Sequence, residues 1–235
     1  NITSQDKRII VEDIMKIRDF EEPEISEVRD RARALVKIQD GCDRFCSYCI
    51  IPFTRGPVRS RKLENIKEEV GRIVKNGYKE VVLTGIHVAS YGKDSGDMSL
   101  IDVIESIAEI EGLERIRTSS VEPLIITEEF VQRLGAVDKF CPHFHLSLQS
   151  GSDSVLSRMN RRYTSQEYRE AVNTIRRTFP YAAITTDVIV GFPEETDQEF
   201  EQTYEFLKEL KLYETHIFKY SPRNGTKAAE MPDQV

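Results

Sequence analysis

Two hydrophobic periods take turns along the chain from Ala34 to its end. Short apolar or alternating runs at residues 34–38, 80–85, 113–119, 143–149, 182–190 and 215–220 predict six strands. Between them the period changes to that of a helix. Ile66, Val70, Ile73 and Val74 share one helical face, which Asn76-Gly77 terminates, and Leu100, Val103, Ile104 and Ile107 share another. A further helix is expected around Phe130 to Leu134. Thr164-Ser165-Gln166-Glu167 and Thr196-Asp197-Gln198-Glu199 are capping boxes that open two more. Strand–helix units of about thirty residues imply parallel strands joined by right-handed crossovers, in an open sheet or an incomplete barrel.

The fourth strand favours the barrel. Phe144, Leu146 and Leu148 alternate with His143, His145, Ser147 and Gln149, so one face packs under helices and the other meets something polar. Thr185 and Asp187 repeat this on the fifth strand. A barrel with a polar mouth at the C-terminal ends of its strands accounts for both. Residues 34–235 therefore form one α/β core domain. Residues 1–33 are polar and acidic around Glu21-Glu22-Pro23-Glu24, with a possible short strand at Arg8-Ile9-Ile10-Val11. They read either as a linker from a preceding domain or as a solvated tail. The chain begins at Asn1 without an initiator Met, which suits a piece of a longer protein.

Composition narrows the class. Hydrophobic residues are 39% of the 235 and charged residues 31%, ordinary for a globular protein. No apolar run has membrane-spanning length and no signal peptide opens the chain, so a cytoplasmic protein without a membrane partner is expected. The net charge of −7 confines any nucleic-acid contact to a local patch. One such patch follows the cysteines: Arg55, Arg59, Arg61 and Lys62, interleaved with Phe53. It suits an anionic substrate such as a folded RNA loop; structural ion pairing is the other reading.

Three of the four cysteines, Cys42, Cys46 and Cys49, follow the first strand in a C-x-x-x-C-x-x-C run. They cannot all pair with one another. A structural zinc site wants a fourth ligand, and no nearby residue supplies it. An iron–sulfur cluster held by three thiolates keeps one iron open for chemistry. A zinc knuckle and unliganded thiols stay open beside it. Cys141 reads as a small core residue. His143 and His145 form an H-x-H pair with no carboxylate or cysteine close in sequence, and read as barrel lining.

Tyr48 before the last cysteine, and the run from Ile50-Ile51-Pro52 to Arg61 after it, resemble the radical SAM enzymes, in particular the methylthiotransferase branch. Leu148-Gln149-Ser150-Gly151-Ser152, Met159-Asn160-Arg161-Arg162-Tyr163-Thr164 and Tyr220-Ser221-Pro222-Arg223 with Gly225-Thr226 strengthen the resemblance. It implies a partial six-unit (β/α) barrel. It also implies a 4Fe-4S cluster on Cys42, Cys46 and Cys49, S-adenosylmethionine on the open iron, and a low-potential electron donor. One electron would then cleave the sulfonium and release a 5′-deoxyadenosyl radical.

Cofactor contacts implied by the resemblance are Tyr48 beside the cluster and Thr84-Gly85, where the family often carries Gly-Gly-Glu for the methionyl amine. This chain lacks that Glu. Gln149 and Ser150 would meet ribose or substrate, Arg161 the methionyl carboxylate, and the Asp187 to Gly191 run, through Val190–Gly191, the adenine. The run Leu83-Thr84-Gly85-Ile86-His87 with Ser90-Tyr91-Gly92 is similar to the type that modifies threonylcarbamoyladenosine beside the tRNA anticodon. Types acting on isopentenyladenosine-tRNA or on a ribosomal protein are alternatives, as is a non-enzymatic iron–sulfur or zinc module. The family carries three more cysteines in an N-terminal domain and an RNA-binding C-terminal domain, so the chain is expected to be the catalytic barrel alone.

Overall fold

The computed structural model describes residues 12–22, 32–96 and 98–235. The strand expected at residues 8–11 lies outside them, as do Pro23 and Glu24. From residue 34 the chain runs β1 (Ala34–Asp40), α1 (Ile51–Arg55), β2 (Arg59–Ser60), α2 (Leu63–Lys75), β3 (Glu80–Gly85), α3 (Leu100–Ala108) and β4 (Arg115–Thr118). It continues with α4 (Glu128–Gly135), β5 (His143–His145), α5 (Asp153–Arg158), α6 (Ser165–Thr178), β6 (Ala183–Val190), α7 (Asp197–Leu210) and β7 (Glu214–Lys219).

The six expected strands are β1, β3, β4, β5, β6 and β7, and every ladder between them is parallel. They form two sheets, β2-β1-β3-β4 and β5-β6-β7. Single bridges at Ile116–Phe140 and Val121–Leu146 join the two into one curved wall. Among the described residues β7 pairs only with β6, so the barrel stays open along that edge.

Sequence and structure part at the fourth strand, where regular pairing covers three residues rather than seven. The Thr186 hydroxyl takes the place of a main-chain partner there: its Oγ accepts from Leu148 N at 3.0 Å and donates to Leu146 O at 2.7 Å. The alternation survives, because Phe144, Leu146 and Leu148 are buried and the four polar residues stay half-buried. Both expected capping boxes are present, with Glu167 Oε2 accepting from Thr164 N at 2.7 Å and Glu199 Oε2 from Thr196 N at 2.9 Å. Helices α1 and α5, of five and six residues, are too short for periodicity to reveal.

The core lies between wall and helices. Val36, Ile38, Ile66, Val70, Leu83, Ile104 and Ile116 are fully buried in it. A smaller cluster of Val155, Met159, Phe192, Tyr220 and Ala228 gathers sequence-distant segments, with Tyr48 packed against it. Burying each large side chain contributes about 1.5–3 kcal/mol. Part of the N-terminal stretch is also packed: the Phe20 ring covers Lys37 Nζ, 5.4 Å from its centroid, and Glu22 pairs with Arg61 at 2.6 Å.

Candidate active site

The cysteine loop leaves the C-terminal end of β1 through Gly41, at φ +70°. A Cβ there would sit 1.8 Å from Pro57 O, so the position requires glycine. Four further anchors fix the loop. Cys42 N donates to Gly56 O (3.0 Å), Ser47 N to Met159 O (3.0 Å), Asn160 Nδ2 to Phe45 O (2.8 Å) and Ala228 N to Ser47 O (2.8 Å). The Met159-Asn160 motif therefore acts as a brace for the cysteines.

Held this way, Cys42, Cys46 and Cys49, all free thiols, line one cavity with Tyr48, Arg44, His87, Glu122, Ser147 and Arg161. Cys141 lies elsewhere. Burial pushes the Cys42 thiol up to about 11, and the neighbouring sulfurs add to the rise; burial also raises Cys49. Three thiolates this close need a cation to compensate them.

Glu122 is the centre of charge in the cavity. It is 5% exposed, with two guanidinium groups and an imidazole around it: Arg44 at 2.5 Å, Arg161 at 3.3 Å and His87 Nε2 at 3.1 Å. Burial alone would raise its pKa. Contact with His87 and the charges of Arg161 and Arg44 outweigh that and hold it at about 2. Glu122 Oε2 and Arg161 Nη2 are nevertheless buried without a well-directed hydrogen bond, despite ion-pair distances. Arg161 Nη1 reaches Cys46 Sγ at 3.2 Å, and its Nε donates to Tyr163 OH at 2.9 Å. Ser90 Oγ stands 2.6 Å from His87 Nδ1, and Gln39 Oε1 accepts from His87 N at 2.7 Å.

Of the residues expected from sequence, the cavity brings together the three cysteines, Tyr48 and Arg161. Thr84 and Gly85 lie at the end of β3 against β1. Thr84 Oγ1 donates to Val36 O at 3.3 Å, and a Cβ on Gly85 would meet Gln39 O at 2.9 Å. Gln149 adopts φ +70° and donates its N–H to Asp187 O. Ser150 is a correction: it is fully buried, with its hydroxyl 3.1 Å from Thr203 on α7, so it packs a helix rather than lining the mouth. Val190 O accepts from Tyr220 N, and Gly191 N donates to Glu195 Oε2 at 2.5 Å.

The basic patch divides. Arg59 is buried, pairing with Asp40 at 3.6 Å and donating to Arg55 O at 2.8 Å. Arg61 is buried between Glu22 and Glu69. Neither side chain can reach a phosphate, so the ion-pair reading holds for both. Arg55 and Lys62 are exposed.

His143 and His145 are half-buried on β5, and the structure adds a carboxylate that the sequence does not place near them. Asp187 Oδ2 stands 3.0 Å from His145 Nε2, brought there by the next strand. Glu122 and Arg44 were missed. The signal for Glu122 was its place just beyond the third strand, where a barrel puts its chemistry.

The Radical SAM superfamily description matches residues 36–207. The chain belongs to the radical SAM superfamily. As a radical SAM protein it is 46% identical over 226 residues to a threonylcarbamoyladenosine tRNA methylthiotransferase MtaB of Bacillus subtilis, covering 96% of this chain and 50% of that protein. It is 43% identical over 208 residues to a tRNA-2-methylthio-N(6)-dimethylallyladenosine synthase of Pelotomaculum thermopropionicum, covering 88% and 46%. The chain thus spans about half the length of these relatives. Its fold is similar to that of the radical S-adenosylmethionine methyltransferase TsrM of Kitasatospora setae (TM-score 0.69, 16% identity, 83% of this chain and 38% of that one).

The donor set fits an iron–sulfur cluster with an amino-acid ligand. Three thiols converge, a guanidinium touches one sulfur, and a buried carboxylate with an unsatisfied oxygen faces the same space.

Proposed function

We propose that the chain is the catalytic barrel of a tRNA methylthiotransferase that adds a methylthio group to the adenine ring of threonylcarbamoyladenosine beside the anticodon. One observation carries the chemistry: three thiols share a cavity with the opposed charges of Arg161 and Glu122. Cys42, Cys46 and Cys49 would hold a 4Fe-4S cluster. Arg161 offers a guanidinium fork to the methionyl carboxylate of S-adenosylmethionine. Glu122, ionised at every physiological pH, offers the charge for the methionyl amine that a Gly-Gly-Glu run would otherwise supply. When bound, the pair supplies one-electron cleavage of the cofactor by an external low-potential donor.

The chain's own residues prepare that event. Arg44 and His87 keep Glu122 charged and fixed. Tyr48 packs edge-on to Phe192, ring centroids 6.4 Å apart, and closes one side of the cavity. Thr84 and Gly85 at the end of β3, Val190 and Gly191 at the end of β6, and Gln149 beyond β5 are offered as contacts for adenine, ribose or substrate.

The RNA reading rests on the rim of the cysteine loop. Phe45 and Phe53 form an exposed edge-on pair 5.6 Å apart, with Arg55 and Lys62 exposed nearby in sequence and exposed Arg162 donating to Asp43 O of the same loop at 3.4 Å. Aromatics flanked by cations suit an unstacked base and its phosphates. Substrate type rests on the Thr84 to Gly92 run, since 46% and 43% identity barely separate the two tRNA types. Residues 1–33 are read as the link to a further domain. Among the described residues no helix is long and apolar enough to cross a membrane.

Deleting the gene and analysing digested tRNA tests the reading. The methylthiolated threonylcarbamoyladenosine should vanish and its unthiolated precursor remain. Loss of the isopentenyladenosine derivative instead would reassign the substrate.

A further inference from the structure

We propose that His145, Asp187 and His216 bind a divalent transition-metal ion at a site separate from the three cysteines. The three residues come from adjacent parallel strands, β5, β6 and β7, and Asp187 and His216 are direct register partners. Their ligand atoms lie within 4.8 Å of one another. Two are already close, His145 Nε2 standing 3.0 Å from Asp187 Oδ2. The imidazoles face each other at 31°, with centroids 5.8 Å apart. Bonds of about 2.0–2.1 Å to nitrogen and oxygen require the third ligand to draw in by roughly an ångström. His216 is the exposed member of the three, on a strand at the open edge of the wall, and has room to do so.

A second observation concerns orientation. Thr185, itself buried and on the same face of β6 as Asp187, places its Oγ1 2.9 Å from His145 Nδ1. Metal-bound histidines ordinarily tie their other ring nitrogen to a fixed oxygen, which sets the tautomer and aims the ligating nitrogen. With a metal bound, the hydroxyl would accept the Nδ1 proton and leave the Nε2 lone pair for the ion.

Two imidazoles and one carboxylate select zinc, iron(II) or cobalt(II) over magnesium or calcium, which prefer oxygen. Three protein ligands leave at least one coordination position free. His216 is exposed, so that position is accessible to an oxygen donor from solvent.

Cobalt(II) tests this, because its visible bands report ligand type. The full chain carrying Cys42→Ser, Cys46→Ser and Cys49→Ser removes competing thiolates and makes the result independent of the cluster assignment. About one equivalent of cobalt should bind saturably, with nitrogen–oxygen bands, no sulfur charge transfer, and displacement by zinc. His216→Ala and Asp187→Asn should each weaken binding at least about tenfold, Thr185→Val about tenfold, and His143→Ala not at all. No saturable binding by the parent, or undiminished binding in His216→Ala, would overturn the proposal. His216 is exposed, so its replacement decides the matter even if the Asp187 variant fails to fold.

Discussion

At Glu122 burial and charge act in opposite directions, and charge prevails. Glu122→Gln keeps the shape but leaves Arg44 and Arg161 buried without a counter-charge, which should cost about 3–5 kcal/mol near neutral pH. The acid's pKa is depressed from 4.5 to about 2 in the folded state. Its contribution is therefore complete above pH 4.5 and lost as pH falls through 2. Urea unfolding of the two proteins should differ at pH 7 and converge toward pH 2; parallel curves throughout would show that the charge contributes nothing. The two arginines of the loop separate in the same manner. Arg59→Ala should destabilise the fold by about 1–3 kcal/mol, because it empties a buried site and removes the guanidinium bonded to Arg55 O and Pro57 O, while Asp40 keeps Lys37 at 2.6 Å. Arg55→Ala should leave melting nearly unchanged and weaken tRNA binding with a shallower salt dependence. Equal melting of the two would contradict the burial assigned to Arg59.

Among the elements, the brace from α5 to the cysteine loop matters most. Ser47 and Phe45 hang from the Arg158–Asn160 turn, and Gly41 lets the chain enter beneath Pro57. Gly41→Ala would place a methyl against backbone at a positive φ, a strain of about 1–3 kcal/mol before the clash is relieved. The loop should shift, and anaerobically reconstituted protein should retain well under half the iron of the parent while its far-ultraviolet dichroism stays the same. Full iron retention would mean that the loop does not need this entry angle. The seam between β4 and β5 is the thinnest part of the wall, since single bridges rather than a ladder join its two sheets.

Over the whole molecule, the proposed cluster and cofactor positions fall within one barrel, while the chain spans about half of its relatives. Reduced, reconstituted protein should cleave S-adenosylmethionine to 5′-deoxyadenosine and methionine. It should form no methylthiolated product by itself, and chromatography of the reaction checks both. Cys42→Ala, Cys46→Ala and Cys49→Ala should each abolish iron binding, of about four atoms per chain, while Cys141→Ala should not. Product from the chain alone would refute this division of labour.

The strands, the long helices and the three-cysteine loop were legible in the sequence, because each is a local pattern. Glu80–Gly85 is bounded as its apolar run predicts, and both Thr/Glu capping boxes close as their spacing requires. Ion-pair partners obey no such period. Arg59 and Arg61 look free until Asp40, Glu22 and Glu69 are folded against them, and Glu122 is an ordinary carboxylate until β3 and the turn after α5 bring His87 and Arg161 to it. The carboxylate beside His145 lies on a neighbouring strand, 42 positions along the chain. Side-chain charge acts through space over a few ångströms, so burial and partner were decided only when parallel strands set distant residues side by side.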